Sequence, residues 1–113
     1  MVTPRVSFVA TERLSALHDR INQHVADLVE IAPEMLACHV SVLRRPAEAD
    51  CPGSFMVHVH VTLPGTEFDI SPATLWDASD LNPYAAAHEA FEAMRHRLSD
   101  YRERRYGKHV RLA

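Results

Sequence analysis

This 113-residue sequence predicts a two-layer α+β domain of order β-α-β-β-β-α, a four-stranded sheet with both helices on one of its faces. Three observations lead there. Residues alternate apolar and polar without a break from Val57 to Leu63. Apolar residues recur every three or four positions in two long stretches, Leu14 to Leu28 and Tyr84 to Tyr101. Each strand thus has one apolar face and each helix one apolar stripe, and stacking the two layers buries both.

Arg5 to Ala10 alternates Val6 and Phe8 with Ser7, as a short first strand does. Thr11 is placed to cap a helix whose stripe is Leu14, Leu17, Ile21, Val25 and Leu28. Its polar face carries Arg13, Asp19, Arg20, Gln23 and Asp27; it runs to about Glu30, and Pro33 ends it. Cys38 to Leu43 is a second strand, with Cys38, Val40 and Val42 on one side and His39, Ser41 and Leu43 on the other. A turn-rich link, Arg44 to Ser54, leads to the third strand. That strand puts Phe55, Val57, Val59, Val61 and Leu63 inward and Met56, His58, His60 and Thr62 outward. Pro64-Gly65 is a tight-turn signal, so Glu67 to Ile70 returns as a fourth, antiparallel strand. Ser71 to Leu81 is a loop holding Trp76. Asp80 or Asn82 caps the second helix, and Pro83 suits its first turn. Tyr84, Ala87, Phe91, Met94, Leu98 and Tyr101 form its stripe, with Tyr84 an anchor half buried against the sheet, and Gly107 is its stop.

The length allows one domain, residues 1–113, with one modest core. The composition, 47% hydrophobic and 24% charged, is that of a globular chain. No apolar run is long enough to span a bilayer, and the N-terminus does not read as a signal peptide, so the expected location is the cytoplasm. Two cysteines, Cys38 and Cys51, do not make a disulfide framework; both are expected reduced, with Cys38 a buried small hydrophobe.

A net charge of −3 conceals a strong asymmetry. Residues 95–113 carry Arg95, Arg97, Arg102, Arg104, Arg105, Lys108 and Arg111 against Asp100 and Glu103, a net +5, while residues 1–94 carry −8. Cations near a helix C-terminus complement its dipole, which accounts for one or two of the seven. The rest suit phosphate, because affinity for a polyanion follows the local cluster and not the total. Five of them engaged with duplex RNA give a slope of log affinity against log salt of about −4.

His58 and His60 share a strand face, and His39 is a candidate neighbour across the sheet. Three imidazoles can hold zinc or copper, but no cysteine or carboxylate at ligand spacing completes a set, so no metal and no cofactor are expected. His58 and His60 are better suited to RNA, stacking on bases or donating to phosphate. His88-Glu89 and His96 do not form the His-Glu-x-x-His pattern of a metalloprotease. No glycine-rich phosphate loop or nucleophile triad stands out, so the sequence offers no sign of an enzyme. Trp76 and Tyr84 are further candidate stacking platforms.

The element order and two stretches in it resemble the ribosome hibernation factor family, the hibernation promoting factor and ribosome-associated inhibitor A group, also called the sigma-54 modulation protein family. One stretch is Asn82-Pro83-Tyr84-Ala85-Ala86-Ala87-His88-Glu89-Ala90-Phe91, continuing through Met94, Leu98, Tyr101 and Arg102, which looks like that family's second helix. The other is Met56-Val57-His58-Val59-His60-Val61-Thr62-Leu63-Pro64-Gly65, similar to its third strand and hairpin; Cys38-His39-Val40 looks like its second strand. The resemblance spans nearly the whole chain. It implies a protein that sits on the small ribosomal subunit, in the channel used by messenger and transfer RNA, and silences translation without catalysis. It also implies that basic side chains of the second helix hold ribosomal RNA, with Arg102 and Arg104 at matching positions. The chain would be a short form lacking the C-terminal dimerisation domain of long members, a monomer or weak homodimer. The acidic residues 1–94 suit an alternative, a diverged protein-binding regulatory module on the same fold without ribosome affinity.

Overall fold

The computed structural model describes residues 4–9, 14–45, 54–71 and 82–107. Its elements are β1 (Arg5–Val9), α1 (Ser15–Ile31), β2 (Ala37–Arg45), β3 (Ser54–Leu63), β4 (Thr66–Ile70) and α2 (Pro83–Arg102), the last continued by a π-helical turn, Glu103–Gly107. The four strands form one sheet in the order β1-β2-β3-β4. β1 pairs parallel with β2, and β2, β3 and β4 form an antiparallel meander. The predicted fold class is observed.

Pattern becomes packing through a single core. Leu17, Ile21, Val25 and Leu28 of α1 and Ala87, Ala90, Phe91, Met94 and Leu98 of α2 meet Cys38, Val40, Val42, Val57, Val59, Val61, Leu63 and Ile70 of the sheet. Both helices therefore cover the same sheet face, and the other face is open. Val6 and Phe8 of β1 are partly buried against this core. No polar or charged side chain is fully buried among the described residues. Cys38 is 2% exposed, and burial pushes its thiol up to about 11, so it behaves as the small hydrophobe expected. Cys51 lies outside the described residues.

The Pro64-Gly65 turn joins Leu63 directly to Thr66, its partner in the register. Proline fixes a negative φ at the first turn position, and Gly65 takes φ +81 at the second, the type II geometry that a β-carbon disfavours. The β-carbon itself would meet nothing, so the preference for glycine here is one of backbone conformation alone.

The helix starts differ from expectation in one case. Leu14, not Thr11, occupies the N-cap of α1, and no side chain caps it; Thr11 lies outside the described residues. At α2 Asn82 is the cap, its side-chain oxygen accepting from the Tyr84 N–H at 2.8 Å, with Pro83 beginning the helix. Asp80 and Trp76 lie outside the described residues. Asn82→Ala removes that acceptor and lowers stability by about 1 kcal/mol, whereas Asn82→Asp restores most of it. Urea unfolding measures this, and equal midpoints for parent and alanine variant would refute the cap.

Candidate nucleic-acid interface

Spacing of seven divides the arginines of α2 and of the turn that continues it into two ranks with opposite surroundings. Arg95 and Arg102 lie on the side towards α1. Arg95 donates to Glu92 at 3.0 Å and shares a surface cleft of about 350 Å³ with Asp27, Glu30, Ile31 and Glu92. Arg102 reaches both carboxylate oxygens of Glu34, in the α1–β2 connection, at 2.5 and 2.6 Å. Partial burial pushes the Glu34 carboxyl up, but its own backbone amide and the Arg102 guanidinium outweigh that and hold it below the ordinary value. The charge of this rank is largely answered within the fold.

Arg97 and Arg104 face the β4 side. Arg97 is exposed, its guanidinium lies 5.4 Å over the Phe68 ring, and its Nη1 donates to the Asp69 carbonyl at 3.4 Å. Phe68 meets Tyr101 edge-on, centroids 5.3 Å apart at 70°. Phe68, Arg97, Asp100, Tyr101 and Arg104 line a notch of about 200 Å³ between β4 and α2. Beyond it, the π-helical turn replaces the regular helix that the sequence predicted up to Gly107. An extra residue per turn rotates the side chains of that segment relative to a regular helix. Here Arg105 donates to the Tyr101 hydroxyl at 2.5 Å, its guanidinium 5.8 Å over the ring. Arg104 and Arg105 are both exposed. Lys108 and Arg111 lie outside the described residues.

The open sheet face brings the histidines together as expected: His39 is the register partner of His60, and Ser41 of His58. Carboxylates join them, contrary to expectation. The two-residue turn aligns Asp69 with His60 and Glu67 with Thr62. Both histidines reach Asp69: His58 through Nε2, and His60 through Nδ1 at 3.2 Å, while His60 Nε2 lies 3.3 Å from Glu67. Ser7 of β1 meets His39 Nε2 at 3.3 Å. Among the described residues no group of three or more histidine, cysteine or acidic side chains is arranged to hold a metal ion.

These pairings set the proton affinities. Partial burial pushes the His60 imidazole down, but its hydrogen bonds with Asp69 and Glu67 and their charges outweigh that and raise it above 6.5. Burial likewise pushes Asp69 up, and the two histidines bring it below 3.8. A raised imidazole contributes stability below its ordinary value and loses it as pH rises through the folded value; a depressed carboxylate contributes above its ordinary value and loses it as pH falls. The pairing is therefore at full strength between 3.8 and 6.5, one interaction seen from both partners. In an NMR titration the His60 ring should titrate above 6.5, and Asp69→Asn should lower its midpoint. An unshifted midpoint in that variant would show that the carboxylate is not the cause.

Elsewhere, His24 of α1 stacks on Phe91 at 4.8 Å with His88 6.2 Å away. Burial, then the neighbouring His88 and Arg20, holds His24 below the usual imidazole value against the pull of Asp27 and Glu92. His88 and His96 are exposed. Tyr84 is not the sheet anchor predicted for it. It is 37% exposed, with the Arg20 guanidinium of α1 6.0 Å from its ring, because the first turn of α2 lies beside α1.

Sequence patterning did not single out Phe68 and Tyr101 as part of a surface site; each counted only as apolar. The signal for Tyr101 was its place four residues after Arg97, the spacing at which helical neighbours touch.

Comparison with known proteins agrees with this architecture. A ribosomal subunit interface protein from Coxiella burnetii superposes with a TM-score of 0.70 at 15% identity, covering 90% of this chain and 98% of that one. The N-terminal domain of Protein Y from Thermus thermophilus superposes at 0.67 and 18% identity, covering 87% and 96%. No curated protein matches the sequence. The profile of one family, Sigma 54 modulation protein / S30EA ribosomal protein, matches residues 5–106, which spans every described strand and helix, the π-helical turn short of its last residue. The chain belongs to that family of ribosome-associated modulation proteins.

Proposed function

We propose that this protein is a ribosome-associated translation inhibitor of the hibernation kind, which holds ribosomal RNA of the small subunit through the β4-facing side of α2 and catalyses nothing. The observation that supports it most is the exposed arginine rank Arg97 and Arg104, with Arg105 next to it over the Tyr101 ring, set beside an aromatic pair at the end of an otherwise acidic domain. Its place of action is the cytoplasm, as a monomer or weak homodimer. Among the described residues no helix is long and apolar enough to cross a membrane. His58 and His60 take a secondary part in this reading, since Asp69 and Glu67 already engage both ring nitrogens of His60 and Nε2 of His58.

Co-sedimentation of the purified protein with small ribosomal subunits across a salt series tests the proposal. Binding should weaken with salt with a slope of roughly −2 from Arg97 and Arg104, steeper as Arg105, Lys108 and Arg111 join them. A protein that stays in the supernatant at low salt overturns it. A second reading, a regulatory module with a protein partner, draws on Arg95 and Arg102 being answered by Glu92 and Glu34. It would be favoured if a pull-down returned one stoichiometric non-ribosomal protein and ribosomal proteins only at background.

A further inference from the structure

We propose that the notch between β4 and α2 receives a single unpaired RNA nucleotide whose base carries an exocyclic amine. This rests on the RNA-binding function proposed for α2 and specifies which form of RNA that surface selects.

Four features of the notch support the assignment. The Arg97 guanidinium is held at two points, over the Phe68 ring at 5.4 Å and on the Asp69 carbonyl at 3.4 Å. Arg97 is exposed, and guanidinium planes stack nucleobases. The Tyr101 ring stands edge-on to Phe68 and forms the neighbouring wall. The space of about 200 Å³ suits one splayed base and not a helix, in which each base is already stacked and paired. Arg104 also lines the notch and is available for the phosphate of the inserted nucleotide.

Asp100 supplies the selectivity. It is exposed and lines the same notch, and as a carboxylate it can only accept hydrogen bonds. Adenine, guanine and cytosine offer it an exocyclic amine; uracil has a carbonyl oxygen where cytosine has its amine and keeps a single N3–H donor, flanked by two carbonyl oxygens that a carboxylate repels. An acidic residue among phosphate-binding arginines opposes binding if the surface reads backbone charge alone, but contributes if it also reads a base.

Fluorescence anisotropy at pH 7.5 with three labelled RNAs of about equal length tests this: an oligocytidylate, an oligouridylate and a blunt duplex. Cytidylate and uridylate share a ring size and differ at the amine. The oligocytidylate should bind about tenfold tighter than the oligouridylate. Asp100→Ala should remove that ratio. Arg97→Lys keeps the charge but loses the plane, and should lower affinity for the oligocytidylate about fivefold or more. Melting temperatures equal to the parent's establish that the variants fold. Equal affinity for cytidylate and uridylate, or a single strand bound no tighter than the duplex, overturns the notch while leaving ribosome binding intact. Failure to bind any of the three RNAs and ribosomes alike overturns both this inference and the function on which it rests.

Discussion

Arg97→Glu/Arg104→Glu should lower affinity for the small ribosomal subunit by on the order of 100-fold at low salt, with a salt slope shallower by about 2. Each replacement removes a charge-assisted contact worth roughly 1.5–3 kcal/mol and sets a carboxylate against phosphate. Two such losses of about 1.4 kcal/mol each already amount to a factor of 100. The matched control is Arg95→Glu/Arg102→Glu, which changes the net charge equally. Those two side chains face Glu92 and Glu34, so their reversal disturbs the fold more than the binding surface. The control should lower the melting temperature and leave affinity within about tenfold of the parent. Equal losses of affinity from both pairs would mean that the surface is an undifferentiated positive field, and the division of α2 into two ranks would have no functional content.

Leu98→Ala is the largest single effect expected on stability. Leu98 is fully buried between the two arginine ranks, and its side chain packs the last turns of α2 onto the sheet. Truncating a buried leucine costs about 2–5 kcal/mol, part of it for the cavity left behind. In a domain of this size that lowers the melting temperature by on the order of 10 °C or more. The same change loosens the segment that presents Arg97, Arg104 and Arg105, so RNA affinity should fall although no charge is altered. Leu98→Met conserves volume and should cost less than about 1.5 kcal/mol. A melting temperature unchanged by Leu98→Ala would contradict this packing.

The fold was legible because its strongest signals are periodic. Val57, Val59 and Val61 alternate so regularly that only one face can be buried, and the stripes of α1 and α2 have no other surface to cover. The site was legible only as a composition. Seven basic residues announce a polyanion, but which of them are answered by carboxylates depends on contacts from distant elements: Glu34 is 68 residues from Arg102. Local spacing carries no information about such a pairing. The histidine–carboxylate pairs are different in kind. A two-residue turn at Pro64-Gly65 fixes the register, so His60 opposite Asp69 comes from counting outward from the turn. At α1 residue type and structure differ by one turn: Thr11 is the stronger capping residue by type, while the chain begins its helical hydrogen bonds at Leu14, where the His18 N–H donates to the Leu14 carbonyl at 2.8 Å.

The mixed pairing of the sheet has a consequence for the order in which the chain assembles. The β2–β3–β4 meander can close from its turn, since Leu63 and Thr66 are already adjacent. β1 has no such short cut: Arg5 pairs with His39, and the whole of α1 lies between them. Closing that loop costs entropy that no local contact repays. β1 is therefore the last strand to dock and the first to detach, and in native-state hydrogen exchange its amides should open at lower free energy than those of β3. Detachment exposes the outer edge of β2, which adds a second unpaired edge to that of β4 as a place where wrong, intermolecular pairing can nucleate.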